Sequence, residues 1–427
     1  MDIENIFAHR MNDERYNTSY PLSPEHWKPF KVKGELDYTG CTVLSFYIHI
    51  PFCEHLCYFC EYTRMLVPSR EIQRYYLNAI RHDINSFLNL YPNITLCGFD
   101  IGGGTPTSLC DECFEELLNI YKEVVERVSL TDDFEPSIEA TFQTLSDYKV
   151  RLISKAGIKR VSFGLQSSVK SVQNNNGRVN PTLSMMDDVI QMIHTNGIEK
   201  INIDLMYGLK NQTLEDIETD VACIKQFAPE QITLYELRTN MLCYKENSSK
   251  EELFRCYNQF FEGLTKLEYN ARFGQNTFSK DLNDQGLSSY LRHRMLEFIP
   301  YKGFGLSAQS MSPTGISYNL GKSVHQLKYF IQQAKSYPSV DTYMLPSQEM
   351  LSKYMAISAY YGQMSIAVAN RILEMDFMAV FKSEVVYCIR QGLIEINGDK
   401  LTITRKGFEY YGAVFSLFFD TIKCGTL

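Results

Sequence analysis

The 427-residue sequence has little of what marks a membrane, exported or nucleic-acid-binding protein. No stretch approaches the roughly 18 consecutive apolar residues that a membrane-spanning helix needs, so no such span is expected. The opening residues, MDIENIFAHRMNDERYNTSY, lack the basic start and apolar run of an export signal. The expected location is therefore the cytoplasm. Positive charge is in deficit, 42 Lys and Arg against 50 Asp and Glu, and the net charge of −8 argues against general nucleic-acid binding. A local basic pocket for an anionic ligand stays compatible with that balance. Tryptophan occurs once, at position 27, and there is no low-complexity tract. What is present is 44% hydrophobic and 22% charged residues, enough apolar material for a sizeable core at a length that holds two or three domains.

Twelve cysteines are scattered along the chain, and without an export signal most are expected to be reduced. A tight cluster then reads as metal binding. One such cluster exists, 53-CEHLCYFC-60, with spacing C-x₃-C-x₂-C directly after the apolar run VLSFYIHIPF. Thiolates are soft ligands for zinc or iron–sulfur centres, yet structural sites of both kinds usually take four protein ligands and this motif stops at three. Cys110 and Cys113 can in principle complete a zinc site, although a C-x-x-C at the start of a helix is weak evidence for that role. If instead three thiolates hold a [4Fe–4S] cluster, one iron keeps an open position for a ligand that is not protein.

Short β-branched or aromatic runs alternate with helical patterns between residues 43 and 240. The expected strands are 43–50, 95–101, 136–142, 160–165, 201–207 and 231–237, and amphipathic segments cover 70–91, 111–128 and 213–227. This alternation predicts βα units and a parallel sheet. Six units are too few for a closed eight-stranded barrel, so the expected architecture is α/β, an open parallel (β/α)₆ partial TIM-type barrel. Its unusual residues fall late in strands or just after them, where parallel α/β proteins build their sites. The cysteines follow strand one, Gly102-Gly103-Gly104 follow strand two, Glu139 lies late in strand three, Gln166 ends strand four and Asp204 lies in strand five. The expected domains are an extension over 1–40, the barrel over 41–240, a connector or substrate-covering region over 241–345, and a C-terminal helical unit over 346–427. In the last, Asn397-Gly398 between alternating runs signals a hairpin and a winged-helix-like appendage.

Five motifs occur in order: YIHIPFCEHLCYFCEY, GGGTPTSL, IEATFQTL, GIKRVSFGLQSS and NIDLMYGLKNQTLED. Together they resemble the radical S-adenosylmethionine branch typified by oxygen-independent coproporphyrinogen III oxidase, specifically over about residues 40–240 and more weakly beyond. The resemblance implies a [4Fe–4S] cluster on Cys53, Cys57 and Cys60, with one S-adenosylmethionine chelating the open iron. Tyr47, Gly103 and Glu139 match positions around this first cofactor. Phe59, Gly104, Thr105, Gln166, Arg178 and Asp204 match positions around a second S-adenosylmethionine. Two further family positions fall near Arg238 and Gln309, where the residue types differ. The residue chemistry fits these roles: glycines allow close backbone approach, a carboxylate accepts from ribose hydroxyls, and an arginine fork pairs with a carboxylate. His49 is expected to be a satisfied core histidine. Tyr58 and Phe59 are expected to shield the cluster.

The implied chemistry is reductive cleavage of S-adenosylmethionine to methionine and a 5′-deoxyadenosyl radical, with a protein such as flavodoxin or ferredoxin as reductant and a small molecule as substrate. Three functions compete. Coproporphyrinogen oxidases carry a further cysteine two residues past the third ligand, where this chain has Tyr62. Haem chaperones on this scaffold carry HNxxYW, which is absent from 282-LNDQGLSSYLRHRMLEF-298 and, with Trp27 the single tryptophan, from the whole chain. A methylase that uses one S-adenosylmethionine as radical source and the other as carbon donor keeps every matched residue, and is the preferred expectation.

Overall fold

The computed structural model describes residues 2–11, 20–23, 25–237, 248–271, 276–320 and 339–419. Six strands, β1 (Val43–Ile50), β2 (Thr95–Gly103), β3 (Ser137–Ala140), β4 (Arg160–Gln166), β5 (Lys200–Tyr207) and β6 (Gln231–Glu236), lie side by side in chain order. Each is parallel to the next. Helices α1 (Arg70–Leu90), α2 (Asp111–Val125), α3 (Asp147–Lys155), α4 (Leu183–Thr195), α5 (Leu214–Phe227) and α6 (Lys250–Lys266) follow them in turn. The period-two pattern explains which face points where. On β1, Leu44, Phe46, Ile48 and Ile50 are fully buried, and Phe46 meets Phe87 of α1 edge-on. The alternate residues Tyr47 and His49 share the other face and hydrogen-bond one another. On β5, Ile201, Ile203 and Leu205 are likewise fully buried, while Asn202 donates to Asp204 on the opposite face.

The sheet is not closed. Beyond β6 it gains the antiparallel β7 (Thr277–Ser279). Beyond β1 it gains the parallel β8 (Tyr301–Phe304), then the antiparallel β9 (Gln309–Ser312), β10 (Gly315–Asn319) and β11 (Ser339–Met344), and finally the two residues Lys31–Val32. The segment read from sequence as a connector or cover therefore builds both flanks of the main sheet, and the N-terminal extension joins its far edge. The physical reason is the edge: β1 and β6 would otherwise present unpaired backbone groups. Helix α7 (Ser289–Met295) packs on β1 and β2, so closely that a Cβ on Gly98 would lie 2.5 Å from the Tyr290 backbone.

The C-terminal unit starts with α8 (Ser347–Tyr361) and contains a three-stranded antiparallel sheet of β12 (Gln363–Ser365), β13 (Ile394–Asn397) and β14 (Lys400–Ile403), with β14 in the centre. Asn397 pairs with Lys400 across a tight turn in which Gly398 has φ +58°, the hairpin and wing anticipated from Asn397-Gly398. Hydrogen bonds from Tyr354 Oη to Leu296 O (2.9 Å) and from Ser358 Oγ to Met295 O (2.8 Å) fasten α8 to the end of α7. Among the described residues no helix is long and apolar enough to cross a membrane.

Candidate active site

The loop after β1 carries the three cysteines and is held from several sides. Phe52–Cys53 pair with Met65–Leu66, closing the loop at its base. The amides of Gly104 and Thr105 donate to Ile50 O and Phe52 O, both at 2.8 Å, so the glycine loop is stitched to the start of the cysteine loop. Tyr58 N donates to Asn176 O (3.0 Å), and Arg64 Nη2 donates to Cys57 O (2.6 Å). Thr105 Oγ1 lies 3.8 Å from Cys53 Sγ, and Arg178 Nη1 lies 3.3 Å from Cys57 Sγ.

All three thiols line one cavity of about 250 Å³. Burial pushes the Cys53 thiol up to about 11 and also raises Cys60. Thiols so placed ionise when a bound cation supplies the compensating charge. Among the described residues no three His, Cys, Asp or Glu side chains stand close enough together to share a single metal ion. A cubane does not ask for that, because each thiolate ligates a different iron. Cys110 and Cys113 are not among the residues that line this cavity.

The glycine loop forms a close-fitting wall. Gly103 has φ +114° and donates its amide to Glu139 Oε2 at 2.9 Å. A Cβ on Gly104 would lie 2.9 Å from Cys53 Sγ and 2.8 Å from Phe52 O; one on Gly102 would lie 2.5 Å from the Glu139 carboxyl. Only glycine allows the chain to pass between the cysteine loop and that carboxylate. Beneath it His49 is buried, and burial lowers its pKa to about 4, so the ring is neutral. Its Nε2 donates to Thr63 O (2.9 Å), which leaves Nδ1 to accept from Tyr47 Oη (3.2 Å). His49 is thus the satisfied core histidine expected.

Eight of the nine expected cofactor contacts line the cavity: Phe59, Gly103, Gly104, Thr105, Glu139, Gln166, Arg178 and Asp204. Tyr47 does not, and its ring instead stacks on Tyr290 (5.6 Å between centroids, 21° between planes). Gln166 takes φ +67° beside a register shift between β4 and β5, and its Oε1 is buried without a hydrogen-bond partner. That is an acceptor waiting for a ligand. Phe59 packs against the small apolar cluster of Val172, Met206, Leu209 and Leu237. Of the two family positions where residue types differ, Gln309 is engaged, accepting from Arg294 Nη2 (2.8 Å) and donating to Tyr318 Oη (2.7 Å). Arg238 lies outside the described residues.

Three carboxyls gather on this face of the sheet. Burial raises Asp100 and Glu139 to about 7 and Asp204 to about 6, and each carboxylate opposes ionisation of Glu139. Glu139 is open to the cavity although protein surrounds it on its other sides, so cavity water moderates this penalty. Asp204 accepts from Asn202 Nδ2 (2.7 Å) and Ser162 Oγ (3.4 Å). The buried Arg160 partly offsets the charge, but its own hydrogen bonds go to Gln231 Oε1 (2.6 Å) and Ser137 Oγ (3.0 Å). The site is therefore matched to a ligand that brings positive charge.

Residues from the loop after β1 and from strands β2 to β6 meet in one cavity, which requires the sheet to curl. Residues 47–224 match the family model described as the radical SAM superfamily. The chain therefore carries a radical SAM domain, and its full-length relatives are HemN-like proteins. It is 27% identical over 389 residues to a heme chaperone HemW of Bacillus subtilis, covering 88% of this chain and 98% of that protein. It is also 27% identical over 434 residues to an oxygen-independent coproporphyrinogen III oxidase of Helicobacter pylori, covering 95% and 94%. The solved coproporphyrinogen III oxidase (HemN) of Escherichia coli superposes with a TM-score of 0.76 at 21% identity, over 96% of this chain and 98% of that one. The radical SAM assignment brings a [4Fe–4S] cluster and S-adenosylmethionine, and the three thiols, the glycine wall and the anionic floor fit both.

Three residues that line the cavity carried no signal in the sequence. Tyr235, Glu236 and Tyr360 line it beside Tyr62. Tyr360, from α8, donates to Leu234 O and accepts from Glu236 N, each at 3.3 Å, and its ring lies near-parallel to Tyr235 (6.3 Å, 24°). No local pattern could have joined a helix of the C-terminal unit to the end of β6.

Proposed function

We propose that this radical SAM protein is an enzyme that methylates a carbon of a small molecule, with one S-adenosylmethionine as radical source and a second as carbon donor. Cys53, Cys57 and Cys60 would hold the cluster, which when bound supplies reductive cleavage of the first cofactor to methionine and a 5′-deoxyadenosyl radical. Glu139 and Gly103 would seat that cofactor beside the thiols. Gly104, Thr105, Gln166, Arg178 and Asp204 would seat the second. Phe59 excludes water from one side of the cysteine loop, and Arg64 and Arg178 hold the loop through the Cys57 carbonyl and thiol.

The observation that carries this reading is one continuous cavity with thiols at one wall and two separate carboxylates, Glu139 on β3 and Asp204 on β5, on the floor. Two sulfonium cofactors would each find an anion. A flavodoxin or ferredoxin in the cytoplasm would be the reductant.

The full-length similarity to the Helicobacter oxidase favours a second reading, porphyrinogen propionate decarboxylation, against which Tyr62 stands in place of the expected cysteine. The full-length HemW relatives favour a third, haem binding. Against that, Trp27 is buried and donates to Glu349 Oε2 (2.9 Å), far from any HNxxYW context. The deciding experiment incubates anaerobically reconstituted protein with methyl-labelled S-adenosylmethionine, reductant and a small-molecule extract. Labelled product with S-adenosylhomocysteine and 5′-deoxyadenosine supports methylation. Carbon dioxide released from added coproporphyrinogen III without S-adenosylhomocysteine, or stoichiometric haem binding without nucleoside products, overturns it.

A further inference from the structure

Cys110 and Cys113 have no place in the cavity, and their setting points to a different chemistry. Cys110 is the N-cap of α2 and makes no side-chain capping hydrogen bond. Ser, Thr, Asp or Asn would cap that end better, so helix initiation does not account for a cysteine there. One turn on, Cys113 falls on the same side of the helix. It is buried, and its thiol hydrogen-bonds that of Cys110 and also reaches Arg70 O at 3.8 Å. Cys110 itself is partly exposed.

Two further features distinguish the two thiols. The 15-residue helix directs its N-terminal dipole at Cys110, and the guanidinium of Arg70, the first residue of α1, pairs at 3.1 Å with Oε1 of Glu112 on the first turn of α2. Cys113 is buried, and that burial pushes its thiol up to about 12. An accessible thiol at a helix start, paired with a buried one three residues later in a βαβ setting, is the arrangement of dithiol oxidoreductase motifs. The pair also sits on a firmly held segment: Cys110 N donates to Gln73 Oε1 (3.0 Å), and Lys149 Nζ donates to Leu109 O (2.8 Å).

We propose that Cys110 and Cys113 form a reversible dithiol–disulfide pair that reacts with small-molecule or protein disulfides, Cys110 attacking and Cys113 resolving. In the first step Cys110 Sγ, as thiolate, bonds to one sulfur of the reagent disulfide and its partner sulfur leaves as a thiolate. That thiolate takes the proton of Cys113. Cys113 Sγ, now a thiolate, then attacks Cys110 Sγ and expels the second reagent sulfur as a thiolate, which takes up the proton that Cys110 gave to solvent on ionising. The two protein thiols are oxidised to a disulfide, and the reagent disulfide is reduced to two thiols. The pair is independent of the methylation reading, since neither residue touches the cavity.

The test treats the cluster-loaded full-length protein, without oxygen, with oxidised glutathione, then quenches in acid, alkylates free thiols and maps peptides by mass. The peptide carrying both residues should emerge two hydrogens lighter, unalkylated and free of glutathione, and dithiothreitol should restore two alkylatable thiols. Cys113→Ser should trap glutathione on Cys110, at about ten times the wild-type level or more, because the resolving attack is lost. Should that buried substitution impair folding, Cys110→Ser supplies the second arm: Cys113 should then stay alkylatable with no adduct. Full alkylation of both residues in treated wild type, a wild-type adduct on Cys110 as persistent as in Cys113→Ser, or an adduct on Cys113 in Cys110→Ser would each overturn the proposal.

Discussion

Glu139→Gln separates the charge of the cavity floor from its shape. The carboxylate accepts the Gly103 amide at 2.9 Å, and a glutamine oxygen can accept the same bond, so the glycine wall should hold while the anion is lost. A charge-assisted hydrogen bond to a cationic ligand contributes about 1.5–3 kcal/mol, which converts to about tenfold to 150-fold weaker S-adenosylmethionine binding. The effect should depend on pH in a defined direction. Glu139 titrates near 7 in the free site because burial disfavours its charge. Cofactor affinity should therefore rise from about pH 5.5 to about pH 7.5 in the wild type and be flat in Glu139→Gln, the two converging at the acid end. Without cofactor the sign reverses. A carboxyl whose folded pKa is raised destabilises the fold as pH climbs from its usual value of 4.5 through 7, so the empty variant should melt above the empty wild type at alkaline pH. Equilibrium binding to anaerobically reconstituted protein measures the first effect and thermal denaturation the second. Equal affinities near pH 7.5, or a wild-type affinity that does not change over this range, would refute the reasoning.

Replacing Cys53, Cys57 or Cys60 by Ala should each abolish the roughly four irons expected per chain, whereas Cys110→Ala should leave iron content unchanged; elemental analysis decides. Gly104→Ala forces a Cβ to 2.9 Å from Cys53 Sγ while hydrogen bonds on both sides hold the backbone, so it should cost about 1–3 kcal/mol of stability and loosen iron retention, read by denaturation and by iron loss to a chelator. Asp204→Asn should lower S-adenosylhomocysteine formation more than 5′-deoxyadenosine formation, measured by product quantification. Arg178→Ala should lower both, because its guanidinium also contacts the Cys57 thiol.

The parallel core was legible because each of its strands has a local signature. All six expected strands are present, with ends within about three residues of those read from the pattern. The cysteine spacing and the glycine run were equally local. What escaped was long-range. Strand β8 is four residues long, contains Gly303 and lies between Pro300 and Gly305, and becomes a strand by pairing with β1 more than 250 residues earlier in the chain. The left-handed turn at Gln166, and the uncompensated acceptor it buries, arise from a register shift between two strands that no single segment encodes. Tyr360 reaches the cavity through tertiary packing, and as one tyrosine among 28 it carried no signal of its own. Tyr47, matched by motif, does not line the cavity and stacks on Tyr290, a helix α7 residue whose arrival was equally unreadable.

In the proposed function Cys53, Cys57 and Cys60 hold a cluster with one iron open to S-adenosylmethionine. Its most direct test is to reduce the anaerobically reconstituted protein in the presence of S-adenosylmethionine and quantify 5′-deoxyadenosine and methionine. The two products should form in equal amounts, in a reaction lost on replacing any of the three cysteines. Stoichiometric zinc in place of iron, or a full complement of iron with no 5′-deoxyadenosine, would contradict it.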